Sequence, residues 1–249
     1  MKLSIIIATL NCKKDLELTL ESIFQQNVPD TDYEVLVIDG GSTDGTVDLI
    51  RSYASTLRYV SEKDDGIYDA MNKGMRLAQG DYLQFLNAGD IFYDNDVLQI
   101  VFERLDGKTS IVFGDIHVVN AAYETIFHVR YSTFDLEALK TKGTGTCNHQ
   151  AFFVKKNIVP MFSNKYMLKA ELNWFIDLAM LDSLTASHID RPLVRYVLGG
   201  KGYICFWQNL FEWVCIVQTR FGLWQNIKNI KAYYRFFRYR FYTSKKYAR

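Results

Sequence analysis

The sequence predicts an α/β fold with a mainly parallel sheet flanked by helices, followed by a C-terminal helical extension. Three observations carry this prediction: apolar runs alternate with segments of helical spacing over the first hundred residues, polar clusters follow the apolar runs, and the last sixty residues are basic and aromatic. Strands that alternate with helices pair in parallel through right-handed crossovers. The chain has 249 residues, 49% of them hydrophobic, a length that suits one large α/β domain or two small ones and allows a substantial core.

Four segments are predicted strands, and the first of them has the β-branched, continuously apolar composition of a strand buried on both faces. They are residues 3–8, 33–38, 57–60 and 82–86. The segments between them have apolar residues at helical spacing, and Pro29 and Gly80 follow two of them as stop signals. The predicted helices are residues 16–24, a segment beginning at Val47, and residues 67–77.

Polar residues follow directly after each of these strands. The four clusters are residues 9–11, 39–44, 62–65 and 87–90. Ligands of open α/β sheets bind outside the carboxyl ends of the strands, so four clusters at these ends predict one shared polar crevice.

Asp39 follows the second strand at once, and its carboxylate could accept hydrogen bonds from a base or a ribose. The alternative is a turn or helix-cap residue, an interpretation that suits Ser42 and Asp44 better. The glycines here lack the spacing of a dinucleotide-binding fingerprint, which disfavours an NAD site.

Two further acidic sites have both a structural and a functional interpretation. Asp69 and Lys73 are i,i+4 partners, so Lys73 could form a surface ion pair, neutralise a phosphate, or orient a carboxylate that binds a sugar. Asp90 could be a turn residue, or it could offer the hard oxygen ligand that Mg²⁺ or Mn²⁺ prefers.

These motifs together resemble family 2 glycosyltransferases of the GT-A fold, with bacterial exopolysaccharide and capsule transferases as the most similar variety. The resemblance weakens after about residue 100 and returns at 148–153. The segments that carry it are residues 4–11, 37–46, 62–74, 80–90 and 148–153.

The resemblance implies a nucleotide-sugar donor, with UDP favoured and GDP next, and a Mn²⁺ or Mg²⁺ cofactor. It implies inversion at the anomeric carbon and a saccharide or lipid-diphosphate-linked acceptor in surface polysaccharide synthesis. Asp90 would bind the metal, although Asn87 and Gly89 stand where the family usually has carboxylates. The donor site would comprise Thr9, Asn11, Asp39, Asp65, Lys73, Asn87, His149 and Gln150.

An inverting transfer needs a general base beside the acceptor hydroxyl. The resemblance implies an acid on a helix after the His149-Gln150 motif, which here reads 166–177. Glu171 fits that position best and Asp177 is the second candidate. A solvated ion pair is the alternative for Glu171, and a purely structural hydrogen bond is the alternative for His149.

The net charge of +1 conceals a strong asymmetry. Residues 1–190 carry 17 Lys and Arg against 27 Asp and Glu, whereas residues 191–249 carry 12 against the single acid Glu212. A basic aromatic helix can lie on an anionic membrane surface, and the alternative is a terminal helix packed on the domain. Nucleic acid is a third possible partner of such a surface, but the acidic first part gives it no support.

The predicted organisation is a transferase domain at 1–200, with a nucleotide-sugar half at 1–100 and an acceptor half at 101–200, and a helical tail at 201–249. Four scattered cysteines and no recognisable export signal or long apolar run favour a cytoplasmic protein, peripheral on the inner face of the membrane.

A nucleotide-sugar-binding scaffold that has lost catalysis is the alternative function, and the oligomeric state stays open. A nucleotidyltransferase would have a Gly-rich phosphate loop with Lys or Arg after the first strand. It is disfavoured because residues 9–12 contain no glycine.

Overall fold

The first four strands form a parallel ladder, in agreement with the predicted alternation. They belong to a computed structural model that describes residues 2–199 and 204–247, with side chains for 2–199 and 204–239. The ladder runs in the order β3-β2-β1-β4, and β1 and β2 are buried along their whole length, which explains their continuous apolar composition. The four strands are β1 (Leu3–Thr9), β2 (Tyr33–Asp39), β3 (Arg58–Ser61) and β4 (Tyr82–Phe85).

Five more strands extend the same sheet. β8 lies antiparallel between β4 and β6, and β9 then runs parallel to β6. β5 and β7 add antiparallel edges to β9 and β6. The α/β fold is therefore confirmed, with a parallel first half and a mixed second half. The added strands are β5 (Ile91–Phe92), β6 (Ile111–Val119), β7 (Thr125–Val129), β8 (Phe152–Lys155) and β9 (Ala186–Val197).

The helices cover the sheet. One of them, α3, packs unusually closely on a strand, and another, α6, begins later in the chain than the sequence predicts. α3 lies so near β1 that a Cβ on Gly74 would stand 2.3 Å from Ile6 Cγ2. α6 begins at Ala170 rather than at Tyr166, because the amides before it turn toward another side chain. The helices are α1 (Lys13–Phe24), α2 (Thr46–Ser52), α3 (Ile67–Leu77), α4 (Val97–Phe102), α5 (Leu136–Lys142), α6 (Ala170–Ala179), α7 (Phe206–Phe221), α8 (Leu223–Lys228) and α9 (Ile230–Tyr247).

The first helix of the C-terminal region, α7, packs on the domain along one face. Trp213 packs on Gly143, where an added Cβ would lie 2.8 Å from the indole, and Ile216 and Val217 are fully buried. None of the helices that the structure describes is long and apolar enough to cross a bilayer. The predicted boundary at 200/201 lies outside the described residues, as do Tyr203, Arg249 and the side chains of Arg240, Lys245 and Lys246.

Candidate active site

The carboxyl ends of the parallel strands bring the predicted polar clusters to one edge of the sheet. Thr9 pairs with Asp39, and Asp39 pairs with Ser61, so three strand ends lie side by side. The fourth strand leads into the same edge, since the amide of Leu86 donates to the carbonyl of Ile6 at 3.0 Å. This adjacency is what the strand-end pattern predicts.

Asp39 is fully buried and organises the loop that follows it. Its carboxylate accepts hydrogen bonds from the amides of Gly41 (3.1 Å) and Ser42 (3.0 Å), and from the hydroxyls of Ser61 (2.7 Å) and Ser42. Asn11, in the left-handed region at φ +51°, joins this loop by accepting from the amide of Thr43 at 2.8 Å. Asp39 and Asn11 therefore shape the loop at this edge of the sheet.

Two neighbouring residues complete this edge. The Thr9 hydroxyl lies 2.9 Å from Cys12 Sγ. Asp44 accepts from the first amides of two helices, Lys13 at 3.1 Å and Thr46 at 3.0 Å, and the Thr46 hydroxyl bond is the main cause that lowers the pKa of its carboxyl. Asp44 is thus the cap and turn residue that the sequence favours.

Lys73 is surrounded by carboxylates. Its ammonium lies 2.5 Å from Asp64, 2.9 Å from Glu62 and 3.5 Å from Asp69, and the hydrogen bonds to Asp64 and Glu62 raise its pKa most. The expected i,i+4 pair exists, but it is the longest of the three contacts. Asp65 is exposed, and its amide donates to Asp69 at 3.2 Å.

A second cluster forms around Glu171 in the first turn of α6. His149 Nδ1 lies 3.4 Å from Glu171 Oε2, and the Tyr68 hydroxyl donates to the same oxygen at 3.2 Å. His149 Nε2 lies 3.2 Å from Asn87 Nδ2, which connects α6 to the strand-end cluster at 87–90. Burial raises the pKa of Glu171, but the hydrogen bond and charge of His149, the charge of Lys169 and the Tyr68 bond outweigh it and hold the pKa below the ordinary value.

Asp90 lies beside this cluster and is 4% exposed. Its carboxylate accepts from the Val197 amide and from Gln150 Nε2, both at 2.9 Å. Burial raises the pKa of Asp90 to about 7, against the opposing effects of these hydrogen bonds and of His149. The Asp15 charge adds a smaller increase. Asp90 is therefore a carboxyl whose charge is weakly compensated by the protein.

The oxygen donors around Asp90 fit a hard divalent cation in their chemistry. Asn87 Oδ1 and Gln150 Oε1 are buried side-chain oxygens that have no hydrogen-bond partner among the described residues. Among the described residues, no group of three or more His, Cys, Asp or Glu is placed to form a metal cage. One carboxylate with two amide oxygens suits a cation that takes its remaining ligands from substrate and water.

Asp177, the second candidate base, points to a different partner. Its carboxylate pairs with Arg220 of α7 at 2.5 Å and accepts from Asn173 at 3.0 Å. Two residues enter the site without having been predicted. Tyr68 lies inside the 62–74 motif but carries no sequence signal of its own. Asp15 approaches the 87–90 cluster only through folding, where its backbone carbonyl accepts from the Gly89 amide at 3.2 Å.

Comparisons with known proteins agree with this architecture. The family model described as glycosyl transferase family 2 matches residues 4–160. A "PGL/p-HBAD biosynthesis glycosyltransferase" of Mycobacterium bovis is 37% identical over 161 residues, 62% of this chain and 59% of that protein. A "Validoxylamine A glucosyltransferase" of Streptomyces hygroscopicus subsp. limoneus is 43% identical over 91 residues, 35% of this chain and 20% of that protein. The matched region thus spans well under two thirds of these relatives.

Two solved structures share the fold. S. aureus TarS 1-349 in complex with UDP has a TM-score of 0.65 at 18% identity, over 88% of this chain and 65% of that chain. The mannosyltransferase PcManGT from Pyrobaculum calidifontis, in complex with GDP-Man and Mn2+, has a TM-score of 0.62 at 18% identity, over 86% of this chain and 62% of that chain.

Proposed function

Because the chain belongs to glycosyl transferase family 2, we propose that it is an inverting glycosyltransferase in which Glu171 is the general base. The observation that carries this proposal is the position of Glu171: its carboxylate is held by His149 and Tyr68, and His149 reaches the strand-end residue Asn87. A single displacement requires a base beside the acceptor hydroxyl, and Glu171 lies next to the edge of the sheet where the donor would bind.

The reaction is one displacement at the anomeric carbon. The acceptor hydroxyl oxygen forms the new bond to that carbon, the bond to the donor diphosphate breaks, and the electron pair leaves with the diphosphate. The hydroxyl proton passes to Glu171. Both described contacts of this carboxylate fall on Oε2, which leaves Oε1 to receive the proton. Its lowered pKa keeps Glu171 ionised near neutral pH.

Asp90 with the amide oxygens of Asn87 and Gln150 would hold Mn²⁺ or Mg²⁺. When bound, the cation would stabilise the negative charge of the departing diphosphate. Both amide oxygens are available as ligands, since neither accepts a hydrogen bond within the part of the chain that the structure describes. Asn87 thus offers an oxygen ligand where the family usually has a carboxylate.

The donor would lie along the edge formed by Thr9, Asn11 and Asp39, with Asp65 and Lys73 on the sugar and diphosphate side. The Lys73 ammonium, enclosed by Glu62, Asp64 and Asp69, would orient carboxylates more than it would bind phosphate directly. UDP is the favoured nucleotide and GDP the next, and the named ligands of TarS and PcManGT agree with both classes.

The proposed acceptor is a saccharide or lipid-linked saccharide used in bacterial surface polysaccharide synthesis. We place the protein in the cytoplasm, peripheral on the inner membrane face, with 1–200 as the catalytic domain and 201–249 as a tail that meets anionic lipid. Exposed apolar side chains on the tail support this placement. They include Ile204, Trp207, Phe211, Leu223 and Trp224.

A donor panel tests the proposal. The protein is incubated with UDP- and GDP-sugars, with Mn²⁺ or with EDTA, and both the melting temperature and the release of nucleoside diphosphate are measured. We expect one donor class to raise the melting temperature and to be turned over in Mn²⁺. A donor that stabilises the protein but is never cleaved would favour the scaffold alternative, and no stabilisation by any donor would contradict both.

A further inference from the structure

The only acid of the basic C-terminal region is buried inside the domain. Glu212 of α7 is 7% exposed. Its carboxylate accepts from three successive backbone amides, those of Met167 (3.1 Å), Leu168 (2.8 Å) and Lys169 (2.9 Å). Gln208 on the same helix donates to it at 3.0 Å and holds its orientation.

These three amides lie immediately before α6. Consecutive amides that point to one place form an anion-binding nest, and a helix N-terminus adds favourable partial charge. Here a carboxylate from another helix fills the nest and fixes the residue from which α6 starts. Glu171 stands two residues after Lys169, in the first turn of α6.

Lys169 links the two acids electrostatically. It is 5% exposed and donates to the Thr144 hydroxyl at 2.7 Å. Burial lowers its pKa, while the charges of Glu171 and Glu212 oppose that change. One buried cation thus lies within the field of both carboxylates, so a displacement of Glu212 would disturb Glu171 through charge as well as through the backbone.

We propose that Glu212 is a positioning residue: it fixes the start of α6 and thereby places the Glu171 carboxylate against His149 and Tyr68. This inference rests on the proposed role of Glu171 as base. It makes α7 part of the catalytic architecture rather than only a surface attachment. Loss of the Glu212 carboxylate leaves three amides without their partner and loosens the first turn of α6.

The test uses full-length Glu212→Ala, Glu212→Gln, Glu171→Gln and the double variant Glu212→Ala/Glu171→Gln. Thr219→Ala is the matched control, since Thr219 is an exposed residue on the same helix. Transfer rates are measured at a temperature where circular dichroism shows every variant folded, and they are normalised to donor-binding sites by titration with the nucleoside diphosphate.

We expect Glu212→Ala to lower kcat at least about tenfold, since small displacements of a reacting group are costly, with the donor KM within about twofold. In the Glu171→Gln background the same change should add little, because both act through one group. Glu212→Gln keeps one acceptor oxygen and should lose about three- to tenfold in kcat, which gives a result even if the alanine variant does not fold.

The outcomes separate the two claims. If Glu171→Gln is inactive but Glu212→Ala and Glu212→Gln behave like Thr219→Ala, the positioning role is wrong and the base stands. If the double variant loses the product of the two single losses, Glu212 acts independently of Glu171 and the inference is overturned. If Glu171→Gln keeps full kcat, the proposed function fails and the inference fails with it.

Discussion

Asp90 accepts its described hydrogen bonds from two neutral groups, the Val197 amide and the Gln150 side chain. Burial is the main reason that its pKa rises to about 7 in the folded state. The pKa of the folded state therefore lies above that of an unfolded Asp, and the stability that this difference contributes is present at low pH. It is lost as the pH rises toward about 7.

This gives a pH-dependent stability prediction for the metal-free protein. With EDTA present, the stability of Asp90→Asn relative to the parent chain should increase as the pH is raised from about 4 to about 7. The difference in stability between the two chains should stay constant at higher pH. Melting temperatures across this pH range check it. Asp48→Asn, which changes an exposed carboxylate, is the control and should show no such trend. A gap that narrows with rising pH would contradict the buried, uncompensated state of Asp90.

Tyr68 supports the ionised form of Glu171 together with His149, since both contact Oε2. Its hydroxyl donates to Oε2, and this bond is one of the causes that lower the pKa of Glu171. The sequence could not reveal this contact, because α3 and α6 are about a hundred residues apart and only the fold brings them together.

Tyr68→Phe should therefore raise the pKa of Glu171 and move the acidic limb of the kcat/KM profile to higher pH. We also expect kcat near neutral pH to fall roughly tenfold, because the Glu171 carboxylate loses one of the two contacts that position it for the reaction. Tyr82→Phe removes another buried hydroxyl, one that donates to the Thr109 carbonyl, and should leave the limb unchanged. An identical acidic limb in Tyr68→Phe would refute the contact's role.

Among the elements, β1, β2, β4 and α1 to α3 follow from the sequence because local periodicity and burial agree. β3 also follows from the sequence, but it is a short edge strand with mostly exposed residues. The stop signal assigned to Gly80 has another physical basis: α3 ends at Leu77, and Gly80 is required because a Cβ there would lie 2.7 Å from the Lys2 carbonyl oxygen. The start of α6 escapes prediction because it depends on Glu212, far away in the sequence. The mixed second half of the sheet likewise depends on pairing between distant strands.

The close packing of α3 on β1 gives a prediction at the level of elements. Gly74→Ala would place a methyl group 2.3 Å from Ile6 Cγ2 and should cost about 1–3 kcal/mol of unfolding free energy. Urea denaturation measures this difference. Gly145→Ala is the matched control, since its nearest atom is the Lys142 Cβ at 3.9 Å, and it should stay within about 0.5 kcal/mol. Equal stabilities would mean that α3 does not approach β1 this closely.

At the scale of the whole molecule, the surface of the C-terminal region is more basic than its composition indicates. The sole acid among residues 191–249 is used inside the domain, so the tail has no carboxylate of its own left to compensate its cations, and Arg220 pairs instead with Asp177 of α6. One face of α7 packs on the domain, as the packed-helix alternative predicts. The membrane interpretation stays a prediction, and we propose that the exposed face meets lipid. Trp207 and Trp224 are 70% and 75% exposed.

Trp207→Ser/Trp224→Ser should bind vesicles that contain phosphatidylglycerol at least about fivefold more weakly than the parent chain, because burial of each indole in the interface is lost. Co-sedimentation with these vesicles measures it, and binding should also weaken in high salt. Leu181→Ser changes an exposed apolar residue outside the tail and is the control. If the tryptophan variant binds as well as the control, the tail does not carry the attachment.

The role of Glu171 as the base is tested by the rate of glycosyl transfer by Glu171→Gln, measured beside that of Asp177→Asn. Glutamine keeps the size of the side chain but cannot take a proton. We expect a loss of at least about 100-fold in kcat with unchanged donor affinity for Glu171→Gln, and near-parental kcat for Asp177→Asn, whose carboxylate pairs with Arg220. A Glu171→Gln variant that transfers sugar at the parental rate, or a loss that falls on Asp177→Asn instead, would contradict this role.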